Sequence, residues 1–206
     1  PKPLLKIGQI TLLERTIKLI EKLQIKKIKI NTFYLSKEIK KFVDQSNTNL
    51  DIQLIEDGNE ILDTGGGIFN MIKDSSEENF LVFNPDTLWN ENYDKNISKM
   101  VDLYFRKQID NILLVVPKDL SFDKRLKGDF NLINEKLTKD NNKNFIYTGC
   151  QIINKNIFSK ITKKKFSMNE IWNRQLKESR LFAYESNIEF LHVTDLEIYN
   201  KILKNQ

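Results

Sequence analysis

Apolar residues recur at Ile10, Leu13, Ile17, Ile20 and Leu23, the three-and-four spacing of a helix that buries one face. Thr11 and Glu14 at its start have the spacing of a capping box. The pattern then changes period. Lys26-Lys27-Ile28-Lys29-Ile30 alternates polar and apolar and predicts a half-solvated strand over 26–31; a helix over 36–44 follows, with Ile39, Phe42 and Val43 inward, then an alternating strand over 50–55. Asp63-Thr64-Gly65-Gly66-Gly67 opens a short helix carrying Ile68, Met71 and Ile72. Phe80-Leu81-Val82-Phe83 is continuously apolar, as a strand covered on both faces should be. A helix over 97–107 leads to a buried strand over 111–116. This alternation predicts an α/β fold in one domain, with a mostly parallel central sheet and helices on both faces. Beyond Pro117 the rhythm loosens. Strands are expected at 130–133, 145–153 and 188–193, and helices at 154–160, 167–179 and 195–204.

Composition narrows the class. The 206 residues are 40% hydrophobic and 30% charged, the balance of a globular chain. One cysteine, Cys150, rules out a disulfide framework within the chain and points to a reducing, cytoplasmic setting. No apolar run has the length of a membrane span, so no membrane partner is expected. The net charge of +5 is spread over lysines along the whole chain and reads as a solvated surface, not a nucleic-acid patch.

Ligands of open α/β sheets bind beyond the carboxyl ends of the strands. Three segments fall there. The triple glycine after Thr64 serves either a flexible turn or a close backbone approach that leaves N–H groups free at a helix start. Asp86, in Asn84-Pro85-Asp86, serves either a turn or a magnesium site of one or two carboxylates completed by substrate phosphates. His192, the only histidine, is structural or a ligand. Cys150 lies in an apolar strand and reads as inert core.

Together these segments resemble a family. Pro1-Lys2-Pro3-Leu4-Leu5, Leu62-Asp63-Thr64-Gly65-Gly66-Gly67-Ile68, the strand ending Asn84-Pro85-Asp86, Gly128-Asp129-Phe130, Tyr147-Thr148-Gly149 and Phe166-Ser167-Met168-Asn169 stand in the order and spacing of the sugar-1-phosphate nucleotidyltransferases. The resemblance is strongest to the branch holding N-acetylmuramate-1-phosphate uridylyltransferase and mannose-1-phosphate guanylyltransferase-like proteins. It implies a magnesium-dependent enzyme of nucleotide-sugar and cell-wall synthesis, whose partners are a nucleoside triphosphate, UTP before GTP, and a sugar 1-phosphate. By the same resemblance, residues 1–116 form the nucleotide-binding part and 117–206 the sugar-binding part. Lys2 meets phosphate and Asp86 holds magnesium. Asp57, Thr64, Gly65, Gly66 and Gly67 receive the nucleotide. Asn84, Gly128, Asp129, Thr148 and Gly149 lie on the sugar side.

Two departures stand against the pattern. The family's closing Trp-x-Asp/His-Val-Gly-Thr-Pro reads Phe190-Leu191-His192-Val193-Thr194-Asp195-Leu196 here, which puts His192 at the second metal position and loses the Gly-Thr-Pro turn. The family's first strand and its Gly-x-Gly-x-Arg loop, which precede Pro-Lys-Pro, are not within these residues. That strand is central in the family, so its absence implies a hole in the sheet unless the fold compensates or upstream residues exist. A catalytically weak relative that binds a nucleotide or sugar phosphate is the alternative reading.

Overall fold

A computed structural model describes residues 1–140 and 143–205. A short 3-10 turn at Lys2–Leu4 leads to a small hairpin of β1 (Lys6–Ile7) and β2 (Ile10–Thr11), then α1 (Leu12–Lys22). Next come β3 (Lys27–Thr32), α2 (Ser36–Asp44), β4 (Asp51–Glu56), α3 (Asp63–Ile72), β5 (Asn79–Phe83), α4 (Tyr93–Arg106) and β6 (Asn111–Pro117). The second half adds β7 (Asn131–Ile133), β8 (Lys136–Thr138), β9 (Phe145–Asn154), α5 (Met168–Lys177), β10 (Phe182–Glu185) and α6 (Leu196–Lys204).

Local chemistry sets the helix starts. Thr11, Ser167 and Asp195 each accept a backbone N–H of the following first turn through the side chain, at Glu14, Asn169 and Ile198. Each satisfies a donor that the helix itself leaves orphaned.

Helices cover both faces of the sheet, as the alternation predicts. Leu113 and Val115 of β6 pack with Ile68 and Ile72 of α3 and Met168, Ile171 and Trp172 of α5. Ile112 and Leu114 face the other way, against Leu19 of α1 and Tyr93, Ile97, Met100 and Leu103 of α4. The main sheet has six strands in the order β5-β9-β6-β10-β8-β7. Its ladders are mixed where a mostly parallel sheet was expected. β9 runs antiparallel between β5 and β6, which therefore point the same way, and β6 is parallel to β10. The expected strand over 188–193 is absent as a strand; the segment makes isolated bridges, Ser121 with Phe190 and Thr87 with His192. The pairing place beside β6 is taken instead by β10. The helix expected over 154–160 is a single 3-10 turn, Lys155–Phe158.

The hole implied by the family pattern is present. β3 and β4 form a separate two-stranded parallel sheet that makes no ladder with β5. The two parts are joined through helices. Leu13 and Ile17 of α1 pack against Ile28, Ile30, Ile52 and Leu54, while Leu19 of the same helix enters the α4 cluster. Lys29 donates to the Met71 carbonyl of α3 at 2.9 Å. One edge of β3 and one of β5 thus carry backbone groups with no ladder partner among the described residues. Burial registers the same break. Every residue from Asn111 to Val116 in β6 is buried, whereas Phe80 to Phe83 are only half-buried although equally apolar. No helix among the described residues is long and apolar enough to cross a membrane.

Candidate active site

Asp86 lies three residues beyond β5, in a turn fixed from three directions. The Asn84 N–H donates to the Gly149 carbonyl at 2.7 Å, and the Trp89 indole donates to the Asn84 carbonyl at 2.9 Å. The Thr87 hydroxyl donates to the Thr148 carbonyl at 2.7 Å. The Val193 N–H donates to the Asp86 carbonyl at 2.9 Å, and Thr87 bridges His192. These bonds hold the segment from Leu191 to Val193 alongside the turn and so deliver His192 to Asp86.

Three side chains converge there. Lys2 Nζ is 2.8 Å from Asp86 Oδ2, and His192 Nε2 is 3.3 Å from the same oxygen. His192 stacks on Phe190, with ring centres 5.7 Å apart, and its Nδ1 lies 3.2 Å from Thr194 Oγ1. Burial pushes the Asp86 carboxyl up, but the hydrogen bond and charge of His192, and then those of Lys2, more than offset it and hold the pKa at about 2. Asp86 is a carboxylate at any working pH.

Asp86 Oδ1 is buried and has no hydrogen-bond partner. A buried acceptor left unmade is costly, so one in a native fold calls for an explanation. Magnesium fits this atom. A hard cation takes oxygen ligands and needs only one or two from protein when phosphates and water complete the octahedron. Among the described residues, no group of three or more His, Cys, Asp or Glu side chains could hold a metal. Any metal here rests on Asp86, with His192 beside it. Thr32 Oγ1 is a second orphaned buried atom, at the carboxyl end of β3. Asp86 and Thr32 follow the two strands that flank the break in the sheet.

The glycine segment does something other than offer free N–H groups. The N–H groups of Gly65 and Gly66 both donate to the Phe166 carbonyl at 3.0 Å. The Thr64 hydroxyl accepts from the Met168 N–H at 3.0 Å. A Cβ on Gly65 would overlap the Phe166 ring, and one on Gly66 would overlap the Lys164 carbonyl. Absence of side chains here lets the segment before α5 lie against α3. Asp57 stands at the end of β4, accepting from Asn31 Nδ2 at 2.9 Å and Asn70 Nδ2 at 3.3 Å, and so ties β3 to α3.

The residues given to the sugar side gather around β9. Asp129 Oδ2 accepts the Tyr147 N–H at 2.9 Å. Gly128 has φ +85° and sits against the Lys143 carbonyl, with no room for a Cβ. Gly149 has φ +92°, and a Cβ there would come 2.9 Å from Asn84 Cβ. Only glycine meets both demands cheaply. The Thr148 hydroxyl is buried and donates to the Leu114 carbonyl at 2.8 Å, so Thr148 anchors the strand. Its neighbour Tyr147 points to the opposite face, as strand alternation requires. There it lines a cavity of about 160 Å³ with Asp129, Phe130, Lys139, Lys143, Asn169 and Trp172. Burial pushes the Tyr147 hydroxyl well above its ordinary range, with smaller contributions from Cys150 and Asp86. Thr148 was singled out in the sequence and Tyr147 was not, because Phe145 to Ile153 shows no apolar–polar alternation that would assign the two neighbours to opposite faces.

No family model and no curated protein matches the chain in sequence. Solved structures match in fold. HddC from Yersinia pseudotuberculosis superposes with a TM-score of 0.76 at 22% identity, covering 100% of this chain and 89% of that one. UDP-glucose pyrophosphorylase complexed with UDP-glucose gives 0.78 at 16%, over 100% and 89%. The inositol-1-phosphate CTP transferase from T. maritima gives 0.79 at 12%, over 99% and 86%. The chain has the α/β fold of the sugar-phosphate nucleotidyltransferases along its whole length.

Proposed function

We propose that this protein transfers a nucleoside monophosphate from a nucleoside triphosphate, UTP by preference, to a sugar 1-phosphate. A phosphate oxygen of the sugar 1-phosphate attacks the α-phosphorus, the bond between the α- and β-phosphates breaks, and pyrophosphate leaves with the electron pair. Enzymes of this kind act by positioning and by neutralising charge. The observation that carries the reading is the convergence of Lys2, Asp86 and His192 at the carboxyl end of β5. The structures of like fold act on nucleotides and sugar phosphates, and HddC has been solved with GMP-PN.

Lys2 is the cation available to a phosphate oxygen, and its pairing with Asp86 keeps it aimed at the turn until a ligand competes for it. Asp86 Oδ1 is the free acceptor for magnesium, with His192 the second candidate contact. Bound there, magnesium supplies charge neutralisation between phosphate oxygens. We assign Asp57, Thr64 and the glycine segment Gly65 to Gly67 to the nucleotide side, and Asn84, Gly128, Asp129 and Gly149 to the sugar side, where buried Thr148 acts by anchoring β9 rather than by contact. Such substrates and products belong to cytoplasmic nucleotide-sugar and cell-wall synthesis. A second reading, a weakly active relative that binds the same ligands, is favoured by the internal use of the Gly65 and Gly66 donors.

A pyrophosphate-release screen of sugar 1-phosphates against the four common ribonucleoside triphosphates, with magnesium, separates the two. Turnover with at least one pair, UTP fastest, is expected. Binding of nucleotide and sugar phosphate without turnover on any pair supports the second reading instead.

A further inference from the structure

The nitrogen of His192 that turns away from Asp86 is itself held. Nε2 faces Asp86 at 3.3 Å, the ring lies on Phe190, and Nδ1 is 3.2 Å from Thr194 Oγ1. The use that Thr194 makes of its hydroxyl therefore decides which way the imidazole works.

Behind Thr194 stands a fixed carboxylate, the buried Asp123. Its Oδ1 accepts the Arg125 backbone N–H at 3.1 Å and Nε–H at 2.8 Å, and its Oδ2 accepts from Arg125 Nη2 at 2.9 Å. Arg125 reaches on to Asp195 Oδ2 at 2.9 Å and Glu197 Oε2 at 3.1 Å, at the start of α6. The backbone laces the same two segments together. The Phe190 N–H donates to the Leu120 carbonyl and the Phe122 N–H to the Phe190 carbonyl, both at 2.9 Å. The Arg125 side chain holds the Asp123 carboxyl well below the usual carboxylate range. Burial opposes it, and the Arg125 N–H and the Thr194 hydroxyl add to it.

The hydrogens can then be counted. An ionised carboxylate only accepts, and a hydroxyl has one hydrogen to give. Thr194 gives that hydrogen to Asp123 and keeps a lone pair for His192. Nδ1 is then the donor in the 3.2 Å contact, and Nε2 is the nitrogen turned to Asp86. In the family segment Trp-x-Asp/His-Val-Gly-Thr-Pro the place of Thr194 is glycine, which has no hydroxyl, so the arrangement is this chain's own.

We propose that Thr194 is a positioning residue: oriented by Asp123, it accepts the Nδ1–H of His192 and so presents the Nε2 lone pair to a divalent cation held by Asp86. An imidazole whose other nitrogen donates to a fixed acceptor is a better ligand, because its ring cannot turn and its tautomer is already set. The inference rests on the nucleotidyl-transfer reading only for the task of that cation. It adds the residue that fits a lone imidazole to the site.

The test reads the ring itself and needs no turnover. Zinc alone is the probe, because imidazole takes zinc more readily than magnesium. The untagged full chain is isotopically labelled at the histidine nitrogens, and His192, the one histidine, gives every ring signal. Long-range proton–nitrogen spectra tell Nδ1 from Nε2. On addition of zinc the Nε2 resonance should move while Nδ1 keeps its hydrogen, and Asp86→Asn should abolish the shift. Thr194 is exposed, so its variants leave the fold intact, which melting curves check. Thr194→Val should bind zinc at least about tenfold more weakly, while Thr194→Ser, which restores the hydroxyl, should stay within about twofold of the unaltered chain. Zinc bound through Nδ1, a ring that zinc leaves unmoved, or a shift that survives Asp86→Asn overturns the inference. So does equal affinity in Thr194→Val and the unaltered chain, or a loss that Thr194→Ser shares. A chain that meets these expectations and releases no pyrophosphate would defeat the nucleotidyl-transfer reading and keep this one.

Discussion

At the scale of residues, Asp86 is the position where stability and chemistry separate most clearly. Read as an unpaired site carboxylate, it should be neutral or better for stability when replaced. The structure instead pairs it with Lys2 and His192, so Asp86→Asn should cost about 1 kcal/mol, a fall of roughly 2–4 °C in melting temperature for a chain of this size. The rate of nucleotidyl transfer should fall at least about a hundredfold, because a metal-bridging carboxylate contributes several kcal/mol of charge stabilisation. Melting curves and single-turnover rates on one preparation check both. A variant that loses stability and keeps its rate would reduce Asp86 to a structural ion pair. The carboxyl's folded pKa, about 2 against an ordinary 3.8, is depressed. Its contribution to stability is therefore complete above pH 3.8 and is lost as pH falls through 2. Acid unfolding between pH 4 and 2 should be shallower in Asp86→Asn than in the unaltered protein. Gly149→Ala probes the same turn from β9. Its φ of +92° and the 2.9 Å approach to Asn84 Cβ leave no unstrained place for the methyl. We expect a loss of about 1–3 kcal/mol and a fall in activity as the turn is pushed outward.

Individual elements show how far the sequence carries. α1, α2, β4 and α3 are where the hydrophobic period places them, because each buries one stripe or one face, and α1 also carries a capping side chain at its start. Thr11 illustrates this: Thr11→Ala should cost about 1 kcal/mol, read by denaturant unfolding. β10 was not legible. Phe182–Glu185 is four residues long, too short for a period to emerge, and its place depends on pairing with β6, some seventy residues earlier in the chain. The antiparallel course of β9 was equally hidden, since alternation reports which faces are buried and not which way a strand runs. Among the site residues, Asp86 was findable because it follows a continuously apolar strand. Lys139, Lys143 and Trp172 were not, because they come from a strand end, a loop and a helix that only the folded sheet brings to one cavity. The glycine run was visible, but its use was not: the partners of Gly65 and Gly66 lie a hundred residues away at Phe166 and Lys164.

Across the whole molecule, the break between the β3–β4 pair and the six-stranded sheet is the dominant physical feature. Burial and hydrogen bonding both say that these strands are held less firmly than β6. Hydrogen exchange should show it directly. Amides of β3 and β5 should exchange faster than those of β6 by at least about a hundredfold, because edge groups are solvated and local opening there breaks few apolar contacts. Uniform protection of all three strands would mean that the break is closed in solution. Thr32 ends β3 and Asp86 follows β5, the two strands on either side of the break, and each carries a buried oxygen with no hydrogen-bond partner. In the nucleotidyl-transfer reading, the site exchanges one phosphate partner for another at the α-position of a nucleoside triphosphate. Mass spectrometry on a reaction of UTP, magnesium and the best-bound sugar 1-phosphate, with pyrophosphate counted in parallel, tests that claim most directly. A nucleoside diphosphate sugar and pyrophosphate are expected in one-to-one amounts, both abolished in Asp86→Asn. Release of inorganic phosphate instead, or an intact triphosphate beside a bound sugar, would contradict it.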